Sequence, residues 1–379
     1  MTRTPAYLLA LQRVVDEVVA PGAARIDAEG SFPRQAVGAL GEAGLLGLVS
    51  APEVGGRGEG HRAAALVVEE LAHHCASTAM VAMMHLCAAP LIEAYGPEQV
   101  RREVAAGRHL LGLALSERGS RSHFWAPVST ARAEGAEIVL DAAKSWVTSA
   151  GEADSYIWSS RPVTAEGLST LWLVPAGSPG LHVDGAFDGL GLRGNRSSPM
   201  RAEGLRLAAG AALGDDGTGF DQLLLVVLPY FQLLSAAFSI GTMDAAATKA
   251  AEHVSRTRLT HLDQSLADAG TVRAYVARMR VRTDMARALL LDALAALEAG
   301  RDDAMLRLLE VKAGAGESAT EVTDLAMRVC GGAAFRKEVG VERHFRDARA
   351  ATVMAPTTDA LYDFIGRLCC GLPLFDQSP

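Results

Sequence analysis

A mainly helical protein with a small β-domain in its middle is the fold class this sequence predicts. Two changes of hydrophobic period carry the prediction. Helical spacing gives way near Gly112 to short runs rich in β-branched and aromatic residues, and it returns after Phe220. The length agrees, because 379 residues are ample for two or three packed units with a sizeable core.

Taken in order, the first stretch runs from Tyr7 to Ala106. Leu8, Leu11, Val14, Val15 and Val18 recur at helical spacing, as do Leu66, Val67 and Leu71. The run Ala51 to Gly60, APEVGGRGEG, interrupts this region as a loop, since proline and glycine punctuate helices. The segments Glu137 to Leu140, Tyr156 to Ser159 and Leu171 to Val174 read as strands separated by turn clusters. Helical runs then follow over Leu223 to Gly241, Met243 to Thr257, Ala269 to Ala299, Asp302 to Cys330 and Pro356 to Cys369, with connections short enough for an antiparallel bundle of four long helices. The expected domains are 1–110, 111–215 and 216–379. There is no internal repeat.

Composition bounds the function classes. With 49% apolar and 21% charged residues the chain has an ordinary soluble composition. Charge or glycine interrupts the apolar stretches before the ~20 residues needed to span a bilayer, so no membrane span is expected. Met1 to Asp16 has the pattern of an amphipathic helix and lacks the apolar core of a signal peptide, which makes the cytoplasm the expected location. The five cysteines form no paired framework and read as reduced thiols. A net charge of −8 argues against nucleic acid as a partner, which would demand a clustered basic face. His73, His74, Cys75, His85 and Cys87 surround a helix without coherent ligand spacing, so no metal site is expected there.

Several stretches carry chemistry. Ala114 to His123 reads ALSERGSRSH; Gly189 to Pro199 reads GLGLRGNRSSP; Gly214 to Phe220 is glycine-rich. Lys144 to Gly151, KSWVTSAG, pairs an aromatic face with a hydroxyl two residues on. By its residues alone Trp146 suits either a core position or a platform for a flat, partly polar ring. Ser255 to Thr260, SRTRLT, places Arg256 where it could be a solvated helix-end cation or a forked donor for an anion. Finally, Ala326 to Asp359 carries Gly331 and Gly332, then Glu342, Arg343, Arg346, Asp347 and Arg349, then Ala355, Pro356 and Thr357.

Together these motifs resemble the acyl-CoA dehydrogenase family, over nearly the whole chain. The last stretch is similar to that family's C-terminal signature G-G-x-G-(x)5-P-x-E-[RK]-x-x-R-D followed by E-G-T, and KSWVTSAG to its K-x-W-I-T-N-[AG]. The resemblance implies an N-terminal helical domain, a small β-barrel, a C-terminal four-helix bundle, and FAD as cofactor. It implies cofactor contacts from Leu115, Ser116 and Ser122, from Trp146 against the flavin ring, and from Thr148 near flavin N5. Arg256 would reach the pyrophosphate of a neighbouring subunit's FAD, Gly331 and Gly332 would lie near the adenosine half, and Thr357 would also touch the cofactor. A homodimer or homotetramer is implied, with the charges from Glu342 to Arg349 as a salt-bridge lattice at the subunit interface.

The implied activity is oxidation of an acyl thioester, carried by CoA or by an acyl carrier protein, at its CH–CH bond. A carboxylate usually takes the α-proton while the β-hydride moves to flavin N5. Here the two positions that family members use for that carboxylate fall on Ala355 and on Phe231, and the arginine beside the second falls on Gln232. No catalytic base is therefore assigned. Tyr230, His123 and Glu117 are the remaining ionisable candidates, each with a structural reading first, and Asp359 is expected to cap the last helix. The rival readings are a flavin-dependent monooxygenase or oxidase on the same fold, and a non-catalytic subunit that pairs with an active homologue. The residues name no electron acceptor.

Overall fold

In the computed structural model, which describes residues 5–120 and 123–375, the N-terminal helical pattern becomes six helices. These are α1 (Ala6–Val14), α2 (Ala20–Glu29), α3 (Arg34–Glu42), α4 (His61–His74), α5 (Ala76–Tyr95) and α6 (Glu98–Ala105). Seven strands follow: β1 (Leu111–Ala114), β2 (Thr130–Glu134), β3 (Glu137–Val147), β4 (Ser155–Ser160), β5 (Thr170–Pro175), β6 (Leu181–Val183) and β7 (Ser198–Ala208). Then come α7 (Gly219–Gln222), α8 (Leu228–Arg256), a small hairpin of β8 (Arg258–Leu259) and β9 (Gln264–Ser265), α9 (Gly270–Glu298), α10 (Ala304–Cys330), α11 (Val341–Ala348), α12 (Ala350–Val353) and α13 (Thr358–Cys369). The chain packs as two units, one made of residues 1–67, 77–189 and 193–231, the other of 68–76, 190–192 and 232–379.

Within the first unit, the expected small barrel takes the form of two sheets sharing one core. One sheet has the order β1-β4-β5, with β1 parallel to β4 and β4 antiparallel to β5; the other is antiparallel in the order β2-β3-β7-β6. Tyr156, Trp158 and Trp172 fill the shared core with Leu140, Val147, Val174 and Leu205. Buried aromatics of this size dominate the energetics of such a core. β3 and β7 shift register between Lys144 and Val147. That irregularity re-aims the side chains between them, as bulges do beside functional sites.

The second unit differs from the sequence reading at one helix break. The runs ending at Gly241 and beginning at Met243 are one helix, α8. Gly241 is there for close packing: a Cβ on it would lie 2.1 Å from the Glu69 carbonyl oxygen, so the missing side chain admits neighbouring backbone and does not end the helix. α8, α9, α10 and α13 are the long helices of this unit. Leu309 and Ala313 of α10 bury themselves against Leu361 of α13.

Two helical spans, Ala76–Tyr95 and Gly219–Arg256, are long and apolar enough to cross a membrane by length and composition, with mean hydropathy of 1.3 and 2.0 over their best windows. The expectation that charge and glycine break every such stretch is corrected here, because isolated polar residues do not lower the average enough. The same windows are 89% and 72% buried within the protein, which is how core helices behave. All five cysteines are free thiols, with Cys75, Cys87 and Cys330 buried and Cys369 and Cys370 exposed.

Candidate functional site

The first unit brings four of the sequence-predicted residues, Leu115, Ser116, Trp146 and Thr148, into one neighbourhood. Beyond the end of β1, the stretch Leu115 to Glu117 runs beside β3: the Ser145 N–H donates to the Ser116 carbonyl at 2.8 Å, and Glu117 forms a β-bridge with Lys144. Trp146 and Thr148 follow directly on the same strand and its exit. Ser122 lies outside the described residues.

Trp146 stands in the left-handed region at φ 57° and is 72% exposed. A bulky side chain seldom adopts that conformation, at a cost of roughly 1–3 kcal/mol. The surroundings that enforce it are visible. Ser149, also left-handed, donates its N–H to the Asn195 carbonyl at 3.0 Å, and the Ala150 N–H reaches the Arg196 carbonyl at 3.1 Å. Thr148 is buried, with its hydroxyl 3.1 Å from the Ser197 hydroxyl. The strand exit is thus pinned to residues 195–197, and a flat indole is turned outward. A strained backbone displaying an uncovered aromatic face is a feature for which local packing supplies no reason, and it suits a flat ring laid on the indole.

Beneath that surface a buried ion pair joins Glu117, one of the ionisable candidates, to Lys144, which is absent from the expected site residues. Lys144 Nζ donates to Glu117 Oε1 at 2.5 Å, to the Ser159 carbonyl at 2.6 Å and to the Ser159 hydroxyl at 2.9 Å. Glu117 also accepts the Val128 N–H at 2.7 Å, the Ser129 N–H at 3.1 Å and the Ser129 hydroxyl. Burial pulls Lys144 down to about 8, even with the carboxylate beside it. Burial alone would raise Glu117, but Lys144, Ser129 and the Val128 N–H outweigh it and hold the carboxyl below its usual range. Glu117 is therefore a tied, ionised anchor and has no lone pair free for substrate. The signal was in the sequence, since Glu117 and Lys144 each begin or sit within a motif, but a separation of 27 residues hides the pairing.

The other ionisable candidates are similarly committed. Tyr230 is buried with its ring stacked on His61 at 3.9 Å, and burial pushes its hydroxyl to about 12. His123 is exposed, its Nδ1 3.2 Å from the Ser120 carbonyl oxygen. In the glycine-rich exit, Asp216 accepts the N–H groups of Val163, Thr164 and Ala165 and the Thr170 hydroxyl. Its carboxyl falls to about 2 because these bonds outweigh partial burial. Asp216 thereby fixes one wall of a surface cleft of about 730 Å³ that is also lined by Ser120, His123, Val128, Arg161 and Leu168.

In the second unit, Arg256 ends α8 and is 81% exposed, with Glu252 at 3.9 Å. Gly331 and Gly332 terminate α10; Gly331 has φ 58°, and a Cβ on either would meet nothing within 4 Å. Thr357 is the N-cap of α13, its hydroxyl accepting the Ala360 N–H at 3.4 Å. This corrects the expectation for Asp359, which lies in the first turn, where a negative charge complements the helix dipole without capping it. Thr357 follows Pro356, whose carbonyl accepts from Lys312 on α10. From Lys312 to Cys330 the helix runs eighteen residues, about 27 Å. Thr357 and the glycine pair therefore lie toward opposite ends of α10. Among the charges of the expected lattice, Arg346 Nε donates to Glu342 at 2.6 Å and Asp347 accepts the Leu192 N–H at 2.6 Å.

Gln232 is fully buried with both amide atoms lacking a hydrogen-bond partner, and the Ser235 hydroxyl one turn on is in the same position. His85 is fully buried; its Nε2 donates to the Leu46 carbonyl at 2.9 Å and its Nδ1 accepts the Leu111 N–H at 3.1 Å. Those bonds give it a structural role. Among the described residues no group of three His, Cys, Asp or Glu side chains is placed to hold a metal ion.

Comparison with known proteins adds three family matches in chain order. Residues 6–107 match the acyl-CoA dehydrogenase N-terminal domain, 112–205 the middle domain and 217–369 the C-terminal domain. The mitochondrial short-chain specific acyl-CoA dehydrogenase of Bos taurus is 30% identical over 347 residues, covering 89% of this chain and 83% of that protein. A probable acyl-CoA dehydrogenase of Bacillus subtilis, YngJ, is 29% identical, covering 90% and 91%. Among solved structures, butyryl-CoA dehydrogenase from Megasphaera elsdenii superposes with a TM-score of 0.89 at 22% identity, covering 98% of this chain and 99% of that one.

Proposed function

We propose, from the premise that this chain belongs to the acyl-CoA dehydrogenase family, that it holds FAD against an acyl thioester whose α–β bond is oxidised. FAD is the cofactor of this family. When bound, it supplies the acceptor for the hydride leaving the β-carbon. The observation that carries the reading for this chain is Trp146, whose indole is held outward by a left-handed backbone next to the buried hydroxyl of Thr148.

The residues present fit the cofactor. Leu115 and Ser116 offer backbone beside Trp146, and Thr148 offers a fixed hydroxyl. Gly331 and Gly332 leave open space where a Cβ would stand, and Thr357 places a hydroxyl at a helix start. Arg256, 81% exposed and 3.9 Å from Glu252, is available to a diphosphate outside its own helix. Because the glycine pair and Thr357 lie near opposite ends of α10, we assign Arg256 and the glycines to the FAD of a neighbouring copy. That assignment makes the working form a homodimer or homotetramer, which we place in the cytoplasm. We keep three functional regions, 1–110, 111–215 and 216–379, as the division of labour.

For the substrate we propose CoA as the tether. The cleft beside the 115–120 stretch carries the Arg161 guanidinium and the His123 imidazole, donors suited to phosphate groups. Neither Ala355 nor Phe231 can accept a proton, and we assign no catalytic base. The test is reconstitution with FAD followed by anaerobic titration with acyl-CoA thioesters of increasing length. A flavin spectrum that bleaches with at least one thioester is expected, and Arg161→Ala should raise KM for it without a matching fall in kcat. A protein that takes up no FAD would overturn the reading.

A further inference from the structure

Lys312 sits on α10 among Leu308, Leu309, Val311, Ala313 and Ala315, all buried, and is itself 2% exposed. An amine is placed in such surroundings only against a considerable desolvation cost, so its partners must require it. Two of those partners are backbone carbonyls. Nζ donates to the Met354 carbonyl at 3.0 Å and to the Pro356 carbonyl at 2.6 Å, the two carbonyls on either side of Ala355.

The segment it holds has few bonds of its own. Met354 leaves α12 in an extended conformation, its N–H donating to the Ala350 carbonyl at 3.0 Å. Pro356 has no N–H to give. Thr357, also extended, begins α13 and accepts the Leu361 N–H at 2.9 Å. No helical bond spans 354 to 357, so the nitrogen of Lys312 sets the position of these carbonyls. Burial draws the amine down to about 7, and in either protonation state it retains the two N–H donors these bonds use. A planar guanidinium on a longer stem would not bring one donor to each carbonyl.

We propose that Lys312 is a positioning residue of the reaction site: by tying both carbonyls that flank Ala355 to α10, it sets where residue 355 and the Thr357 hydroxyl stand relative to the flavin and the acyl thioester. The inference rests on the flavin reading above. Because Nζ is turned to backbone, Lys312 is not itself the missing base.

The test is titration of the apoprotein with FAD for wild type, Lys312→Met and Lys312→Arg, followed by flavin absorbance and visible circular dichroism. Thermal midpoints are measured on the same samples. Lys312→Met removes a buried amine at similar volume, so it should melt cooperatively near the wild-type midpoint. It should nonetheless bind FAD at least tenfold more weakly and displace the flavin band, and Lys312→Arg should not restore either. A Met variant with wild-type FAD affinity and spectrum overturns the inference and leaves the flavin reading standing. A wild-type protein that binds no FAD overturns the flavin reading and takes the inference with it. Should the Met variant fail to melt cooperatively, amide exchange on the wild-type chain decides. FAD must then slow exchange at Thr357 and Thr358, and rates that FAD leaves unmoved overturn the proposal.

Discussion

Replacing Lys144 with methionine isolates the buried anchor beneath the candidate flavin surface. The two side chains are 0% and 1% exposed, so the substitution leaves a carboxylate inside the protein without its counter-charge. Breaking a buried pair in this way costs roughly 3–5 kcal/mol. Glu117 keeps the Val128 and Ser129 donors, which favours the lower end. The Ser159 carbonyl and hydroxyl each lose a donor, adding about 1 kcal/mol apiece. For a cooperative unit of 150–250 residues, a loss of about 5 kcal/mol corresponds to a drop of roughly 10–20 °C in Tm. The assay is thermal and urea unfolding of wild type, Lys144→Met, Glu117→Gln and the double variant, read by tryptophan fluorescence and by flavin retention. The double variant should recover at least half of the Lys144→Met loss, because no uncompensated charge remains buried. If Lys144→Met lowers the midpoint by less than about 3 °C, or if the double variant is as unstable as the sum of the singles, the pair does not anchor the 115–129 stretch to β3.

The Asp216 carboxyl, held at about 2 by the N–H groups of Val163 to Ala165 and the Thr170 hydroxyl, has a folded value below the unfolded 3.8. Its contribution is therefore present above pH 4 and lost as pH falls toward 2; Asp216→Asn should flatten that part of an acid-unfolding curve, by about 1–2 kcal/mol after allowing for solvent screening. Gln232→Met should leave the protein as stable as wild type or more so, by up to about 3 kcal/mol, since it removes two unpartnered buried amide atoms; a large loss in urea unfolding would show that the amide has a partner in the native protein. Ala355→Glu puts a carboxylate between the carbonyls that Lys312 holds and should raise turnover of a bound acyl-CoA by about 10²-fold or more, the usual scale of a general base; unchanged single-turnover bleaching would refute the placing of residue 355 at the substrate.

The sequence alone determined the order of helical, strand and helical regions, because hydrophobic period is a local property that each segment displays without reference to its partners. It also marked the Trp146–Thr148 stretch and the glycine pair after α10, since motifs keep their spacing however the chain is folded. Where local signals competed, tertiary packing decided. Gly241 reads as a helix break, yet α8 continues through it because neighbouring backbone needs the space. Asp359 and Thr357 are both acceptable caps by type, and the backbone conformation at 357 selects the threonine. Least legible were Glu117 with Lys144, and Lys312 with the carbonyls at 354 and 356. Each lysine could equally have been a solvated surface residue, and its burial depends on partners 27 and 42–44 residues away along the chain. Periodicity names the face of a helix that is buried, but which polar atom on that face finds a partner is settled only when distant segments meet.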